Sequence, residues 1–430
     1  MRIGIQTWGS EGDIRPFLAL GLGLQRAGHE VEAVVTDLDP KDYCGLGSRI
    51  GLRITPVATP VIADPTECDR IGMRLLLAQN FIAQERIMIK HLFDPFIPAM
   101  LDEAQRLTQE CDLVIGHNYH HPLRMAAEMR AVPEVSVNLY NFGLIPSHHF
   151  SPISFPKLGP LFTPLFWRLN KLIFDKLFLA SVNRLRAEHR LSPLRDMIGE
   201  AWSSRVLNLA AVSKELFTRP PDWDPRHQVC GFLSMPYDSL RPIPTELEVF
   251  LSAGPPPVYF GFGSMTANSN HFLRSEAVVL LDTVRDLGCR AIIQIDAAKA
   301  GGLPHSADVI WVPSSPHAAV FPRCAAVVHH GGAGTTQSVL IAGVPSVVVP
   351  HISDQFLWAE KLHRRGLAPK PLNFRAATAK KLAGRVREVL GSPAMRERAR
   401  EVRKRVERED GVGRAVELIE ELAINIRKKR

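Results

Sequence analysis

The chain has 430 residues, 46% of them hydrophobic, and carries a formal net charge of +8. That length and apolar content can bury two cores, since a domain usually holds about 100 to 200 residues. Six cysteines, at 44, 68, 111, 230, 289 and 324, are scattered without a Cys-x-x-Cys pair, which excludes a disulfide framework or zinc ribbon and leads us to expect a reducing, cytoplasmic setting. The segment Met1 to Trp8 enters a strand pattern directly, without the apolar core of a signal peptide. No window reaches the roughly 18 uninterrupted apolar residues of a membrane-spanning helix. Nucleic acid is not expected as a partner, because no basic run interleaves with aromatics as stacking sites require.

In chain order, Arg2 to Thr7 reads as a strand, Pro16 to Ala27 as an amphipathic helix and Glu30 to Thr36 as a second strand. This is a βαβ unit, hence a parallel sheet. Leu113 to Gly116, Glu134 to Asn138, Val206 to Ala210 and Gln228 to Gly231 extend it. Between them, Leu161 to Val182 is strongly apolar but interrupted by Arg168, Lys171, Asp175 and Lys176. Helical spacing sets Phe166, Leu169, Ile173, Leu177 and Ala180 on one face, with Arg168, Lys171 and Asp175 opposite. Such a helix either packs on its own domain or walls a lipophilic ligand with access to a membrane surface. Pro236, Pro242 and Pro244 break the pattern and place a linker at 236–245. A second alternation follows, with strands at Val258 to Gly261, Arg290 to Ile295, Val309 to Val312 and Val327 to His329, and a helix at Phe272 to Leu287. The expected domains are therefore 1–235 and 246–405, followed by a last helix, 406–430, which closes a helical stretch rich in Arg and Glu.

The densest chemistry lies after Ala325 to Val328. His330, Gly331, Gly332, Ala333, Gly334, Thr335 and Thr336 join a buried-strand pattern to a helix expected from about Gln337. Glycines let backbone N–H groups approach an anion, and Thr335 and Thr336 can cap a helix whose positive end faces the same spot. A diphosphate suits that cradle. One strand further on, after Gly343-Val344-Pro345, come Asp354 and Gln355; a carboxylate beside an amide suits a vicinal diol.

This order of pieces is similar to the donor-binding signature of GT-B nucleotide-sugar glycosyltransferases of family 1, in the sterol glucosyltransferase and glycopeptide or macrolide branch. The N-terminus agrees: Gly9-Ser10-Glu11-Gly12-Asp13-Ile14-Arg15-Pro16, then Ala27-Gly28-His29-Glu30-Val31, resembles the opening of the same branch. The resemblance implies an α/β fold of two Rossmann-like doubly wound domains with a cleft between them, an acceptor-binding N-terminal domain, a donor-binding C-terminal domain and a last helix that packs back on the first.

It also implies transfer of a hexose from a UDP- or TDP-sugar to an acceptor hydroxyl, with inversion and without a metal or other cofactor. Asp13 lies at the exit of the first strand, where open α/β sheets place ligands, and the branch carries its general base there; a helix cap is the alternative role. Gly12 beside it joins the donor set. His330 is assigned to the leaving diphosphate, with a core histidine as the alternative, and Gly332, Gly334, Thr335, Thr336 and Ser264 share the same phosphates. Trp311 and Val312 match the position where the family stacks and pairs the base, although a core Trp fits as well. Asp354 and Gln355 are assigned to the sugar, or else begin a helix.

For the acceptor, a hydrophobic natural product, sterol or lipid is expected, with His117, Phe142, Phe166 and Trp167 as lining residues. His117, His120 and His121 lack a carboxylate for zinc and either line that pocket or sit in a loop. Two Asp-x-Asp triplets, Asp37-Leu38-Asp39 and Asp222-Trp223-Asp224, lie beside prolines and do not read as metal sites. An isomerase or epimerase of the same fold, and a non-catalytic nucleotide-sugar-binding helper, are the competing functions. A nicotinamide dehydrogenase is disfavoured, because the first glycine loop lacks the Gly-x-Gly-x-x-Gly spacing.

Overall fold

The computed structural model describes all residues except 39–40, 58–64, 79, 140–144, 153–154, 236–241, 264–269, 299, 301, 305, 353 and 430. Two parallel sheets organise the described residues. The first has the order β3-β2-β1-β4-β5-β6-β7, formed by β1 (Arg2–Gly9), β2 (Glu30–Asp37), β3 (Arg53–Pro56), β4 (Leu113–His117), β5 (Glu134–Asn138), β6 (Leu207–Ala210) and β7 (His227–Val229). The second has the order β10-β9-β8-β11-β12, formed by β8 (Val258–Gly261), β9 (Ala291–Gln294), β10 (Val309–Val312), β11 (Ala326–His329) and β12 (Ser346–Val348). Every strand pairing is parallel. Apolar runs such as the Ala-Val-Val of β11 are buried throughout, as strands covered on both faces must be.

The chain divides into two compact units, each built around one sheet. The first runs to Ser234 and takes back the chain from Asp410; the second runs from Met235 to Glu409 and includes the helix Pro65–Leu77. The domain bounds read from the sequence, 1–235 and 246–405, leave that helix in the first domain. The linker expected at 236–245 lies mostly outside the described residues, and a helix begins at Thr245. In the first unit, the final helix Gly411–Lys429 lies against the helix Glu11–Arg26. A Cβ on Gly23 would fall 2.3 Å from Val412 Cγ1, and His29 Nε2 sits 3.2 Å from Glu420 Oε1. Glycine at 23 is what lets the two helices approach.

The first helix starts earlier than Pro16, at Glu11 with Ser10 as its N-cap, so the proline falls inside it. A capping box between Ser10 and Asp13 nucleates that end and outweighs the loss of one intrahelical bond at Pro16. The apolar stretch 161–182 is likewise not one regular helix. It runs as an α-helix, Thr163–Phe174, a π-turn, Asp175–Leu179, and a further helix, Ala180–Glu188.

Candidate functional site

In the first unit, β1 delivers Trp8 and Gly9 to the carboxyl edge of the sheet. Gly9 has φ +134°, and a Cβ there would lie 2.5 Å from Asp13 Oδ2, so only glycine lets the carboxylate fold back over the strand end. Asp13 is the third residue of the helix Glu11–Arg26. The backbone N–H and the hydroxyl of Ser10 both donate to its Oδ2, each at 2.9 Å. Its charge also sits at the positive end of the helix dipole. Asp13 is therefore not the helix N-cap, which is Ser10; it closes a capping box that holds its carboxylate at the sheet edge. Gly12, exposed on the same turn, has only Ser10 Oγ near the position of a Cβ.

The same edge holds the residues after β4. His117, Asn118, Tyr119, His120 and His121 are all buried, so they are not loop surface. His117 stacks on Tyr119 with centroids 5.4 Å apart and meets Phe17 at 5.9 Å. The Tyr119 hydroxyl donates to the buried Glu85 at 3.0 Å. The side-chain N and O of Asn118, both ring nitrogens of His120 and Nδ1 of His121 meet no partner among the described residues. Trp8, Phe93, Asp94, Tyr119, His121 and Trp202 help to line a cavity of about 10 Å³, room for one water. Sequence reading had not joined Trp8, Phe93 or Trp202 to the histidines, because contacts so distant in sequence leave no periodic signal.

Among the other acceptor candidates, Phe142 lies outside the described residues. Phe166 stacks on Phe155 at 5.4 Å and Phe162 at 6.4 Å, whereas Trp167 is buried and donates its indole N–H to the Phe150 carbonyl at 3.0 Å. These aromatics form separate groups rather than one wall. The expected inward face also needs correction. Thr163, Trp167, Asn170, Phe174 and Phe178 point in, while Leu169 and Ala180 are exposed. Asn170 and Thr163 are polar residues used inside, and the π-turn shifts the period; hydrophobic spacing anticipates neither.

In the second unit, β11 ends at His329, whose Nδ1 accepts the Gly331 N–H at 3.1 Å. The next ring, His330, is buried and held between two glycines. A Cβ on Gly332 would lie 2.3 Å from its Nε2, and one on Gly263 would lie 2.9 Å from its Cε1. Its Nδ1 has no partner among the described residues.

The helix begins at Ala333, four residues before Gln337, with Gly332 as N-cap at φ −60°, ψ 147°. Thr335 and Thr336 are therefore third and fourth in the helix and do not cap it. Gly332 needs no side chain to turn the chain from strand to helix, and the Thr336 N–H already bonds the Gly332 carbonyl at 2.9 Å. Among the described residues no side chain caps this end. The backbone N–H groups of Ala333, Gly334 and Thr335 are left without an acceptor among the described residues, at the positive end of a helix. Thr336 Oγ1 is buried there without a partner as well.

Ser264 lies outside the described residues. Asp354 directly precedes the helix Gln355–Arg364; its side chain makes no cap bond but accepts the Trp358 indole N–H at 2.8 Å. Gln355 is buried, and its Oε1 accepts the backbone N–H groups of His351 and Ile352 at 2.8 and 3.0 Å, so half of its amide is committed to shaping the loop. Trp311 is half-buried at the end of β10, packs on the sheet's core and donates to the Pro304 carbonyl at 3.0 Å; Val312 is buried beside it. Among the described residues, no group of three or more His, Cys, Asp or Glu is placed to hold a metal ion.

Burial sets the charge of these histidines. It pushes His330 down to about 4, against a weaker upward pull from a backbone hydrogen bond with Gly261, so the ring is neutral at pH 7. His117, His121, His329 and His351 are pushed to about 3 for the same principal reason. A histidine protonates near 6.5 in the unfolded chain, so each group favours folding above that pH and opposes it as pH falls toward the folded value. The slope approaches about 1.4 kcal/mol per pH unit for each. Five such groups would exhaust a stability of about 5–15 kcal/mol within about two pH units. The melting temperature is therefore expected to drop steeply between pH 6.5 and 5, and a flat profile over that range would refute the buried, neutral assignment.

Residues 278–419 match the C-terminal domain of the erythromycin biosynthesis protein CIII-like family. The chain is 32% identical to the O-mycaminosyltylonolide 6-deoxyallosyltransferase of Streptomyces fradiae over 98% of each. It is 27% identical to the sterol 3-beta-glucosyltransferase UGT80B1 of Arabidopsis thaliana, over 97% of this chain and 67% of that one. The glycosyltransferase VinC, solved in complex with DTDP, superposes with a TM-score of 0.66 at 19% identity, over 98% of this chain and 100% of that one. The chain belongs to the GT-B glycosyltransferases, in the family that includes macrolide and sterol glycosyltransferases.

Proposed function

We propose that the protein is an inverting hexosyltransferase that moves a sugar from a nucleoside diphosphate, UDP or TDP, to a hydroxyl of an apolar natural product, sterol or lipid. The observation that carries this reading is the helix Ala333–Ala342, whose first N–H groups, without an acceptor among the described residues, lie beside a buried His330 whose Nδ1 likewise has no partner among them. Such a place demands an anion, because buried polar groups are otherwise costly. A neutral imidazole and a helix end supply hydrogen bonds and positive potential to a departing diphosphate, which is the part a metal plays in other enzymes. The relatives add weight: VinC binds DTDP, and the two transferases act on a macrolide and on sterols.

In this mechanism the sugar is held at the carboxyl edge of the second sheet, with Asp354 and the amide N–H₂ of Gln355 toward its hydroxyls and Trp311 and Val312 toward the base. Asp13 removes the acceptor proton as the hydroxyl oxygen bonds to the anomeric carbon. The bond from that carbon to the diphosphate breaks on the opposite face, so configuration inverts. Ser10 holds the carboxylate for this step. His117 is closed off against Phe17 and Tyr119, so the acceptor's apolar surface is assigned to other residues of the first unit.

The reading is tested by thermal shift. UDP or TDP should raise the melting temperature, as any ligand of the folded state does, and the rise should persist in EDTA. Loss of the shift in EDTA would show that a divalent metal carries the diphosphate. No shift with either nucleotide would remove the donor site from the second unit.

A further inference from the structure

The helix Thr163–Phe174 turns its aromatic residues inward and its leucines outward. Leu165, Leu169 and Leu172, at i, i+4 and i+7, are 50, 40 and 63% exposed, and the segment just before them adds Phe162 at 48% and Leu161 at 91%. An apolar stripe of this extent on a soluble face marks an interaction surface. Two cations lie within the stripe. Arg168 follows Leu165 by three residues and precedes Leu172 by four, and Lys176 comes one turn after Leu172. Both are exposed and have no ion pair or hydrogen bond among the described residues. Lys171, by contrast, is paired with Asp175, which turns in to accept the Met197 N–H at 2.8 Å. No Asp or Glu occurs between Glu134 and Asp175.

We infer that this face is a docking surface for an anionic lipid bilayer, on which the helix lies in the plane of the interface. Leucines and a phenylalanine enter the acyl boundary, while Arg168 and Lys176 extend to the phosphates of the headgroups, as long cationic side chains do. Charge chooses this occupant over a second copy of the chain, since a two-fold contact would press the same unpaired cations together. A bilayer is also where a lipophilic acceptor accumulates. The surface does not depend on the donor site, so its test is independent of the transferase mechanism.

Full-length protein is floated with phosphatidylcholine vesicles with and without phosphatidylglycerol, at low and high salt. Binding to the anionic vesicles is expected, weakened by salt and lower by about thirty-fold on the neutral ones, as two cations would give. Leu165→Ser with Leu169→Ser and Leu172→Ser should abolish it, and Arg168→Glu with Lys176→Glu should remove the preference for anionic lipid. Each variant should keep the nucleotide-induced thermal shift of the parent, which shows that the fold is intact. The inference is overturned if the parent floats with neither vesicle or if the triple variant floats like the parent. It is also overturned if the triple substitution only converts a dimer into a monomer, which would make the face a contact between copies.

Discussion

Asp13→Asn is expected to lower turnover by about 10² to 10⁴ while leaving nucleotide-induced stabilisation unchanged. The substitution is close to isosteric. An asparagine oxygen can still accept from the Ser10 N–H and hydroxyl, which now donate at 2.9 Å each to Asp13 Oδ2. The capping box therefore survives, and stability should fall by no more than about 1 kcal/mol. What disappears is the ability to take a proton. A purely structural Asp13 predicts the opposite pattern, with turnover close to that of the parent. The product gives a second reading of the same step: on the proposed mechanism an α-linked donor yields a β-linked product, and retention would require a covalent or front-face mechanism instead.

Much of this was legible in the sequence because it rests on local rules. Buried runs such as Ile3 to Thr7 and Ala326 to His329 announce parallel strands, and the glycines at 331 and 332 announce close packing, which the structure shows against Gln355 and His330. Boundaries were less legible. Pro16 suggested a helix start, but the Ser10–Asp13 capping box had already begun one; Thr335 and Thr336 suggested caps, but Gly332 turned the chain first. Least legible were places where distant segments meet. The burial of Asn118 and His120, the approach of Phe93 to His121 at 5.5 Å, and the outward leucines beyond Thr163 all follow from tertiary packing. Periodicity identifies an amphipathic helix, but it cannot say which face turns inward when the inner face contains Asn170 and Thr163 and the outer one contains leucine.

Gly332→Ala is expected to reduce nucleotide affinity by about 10² or more with little loss of fold, an unusual outcome for so small a change. At φ −60° and ψ 147° the backbone of residue 332 suits any amino acid, so alanine brings no conformational strain. The added methyl has one serious obstacle, His330 Nε2 at 2.3 Å. The ring must leave its place, and the proposed diphosphate loses the imidazole and meets a methyl group on its approach to the helix end. His330→Ala alone removes a single hydrogen bond to a charged group, worth about 1.5 to 3 kcal/mol, or roughly 10- to 150-fold. Combining the two separates these effects. If Gly332→Ala acts mainly by displacing the ring, the double variant should bind nucleotide about as well as His330→Ala, giving a coupling energy close to the whole effect of the alanine. If the losses add instead, the methyl blocks the ligand itself, and the cradle is tighter than the ring alone requires. Nucleotide binding by Gly332→Ala at parental strength would mean that neither His330 nor this helix end touches the diphosphate, and the donor would have to be held elsewhere.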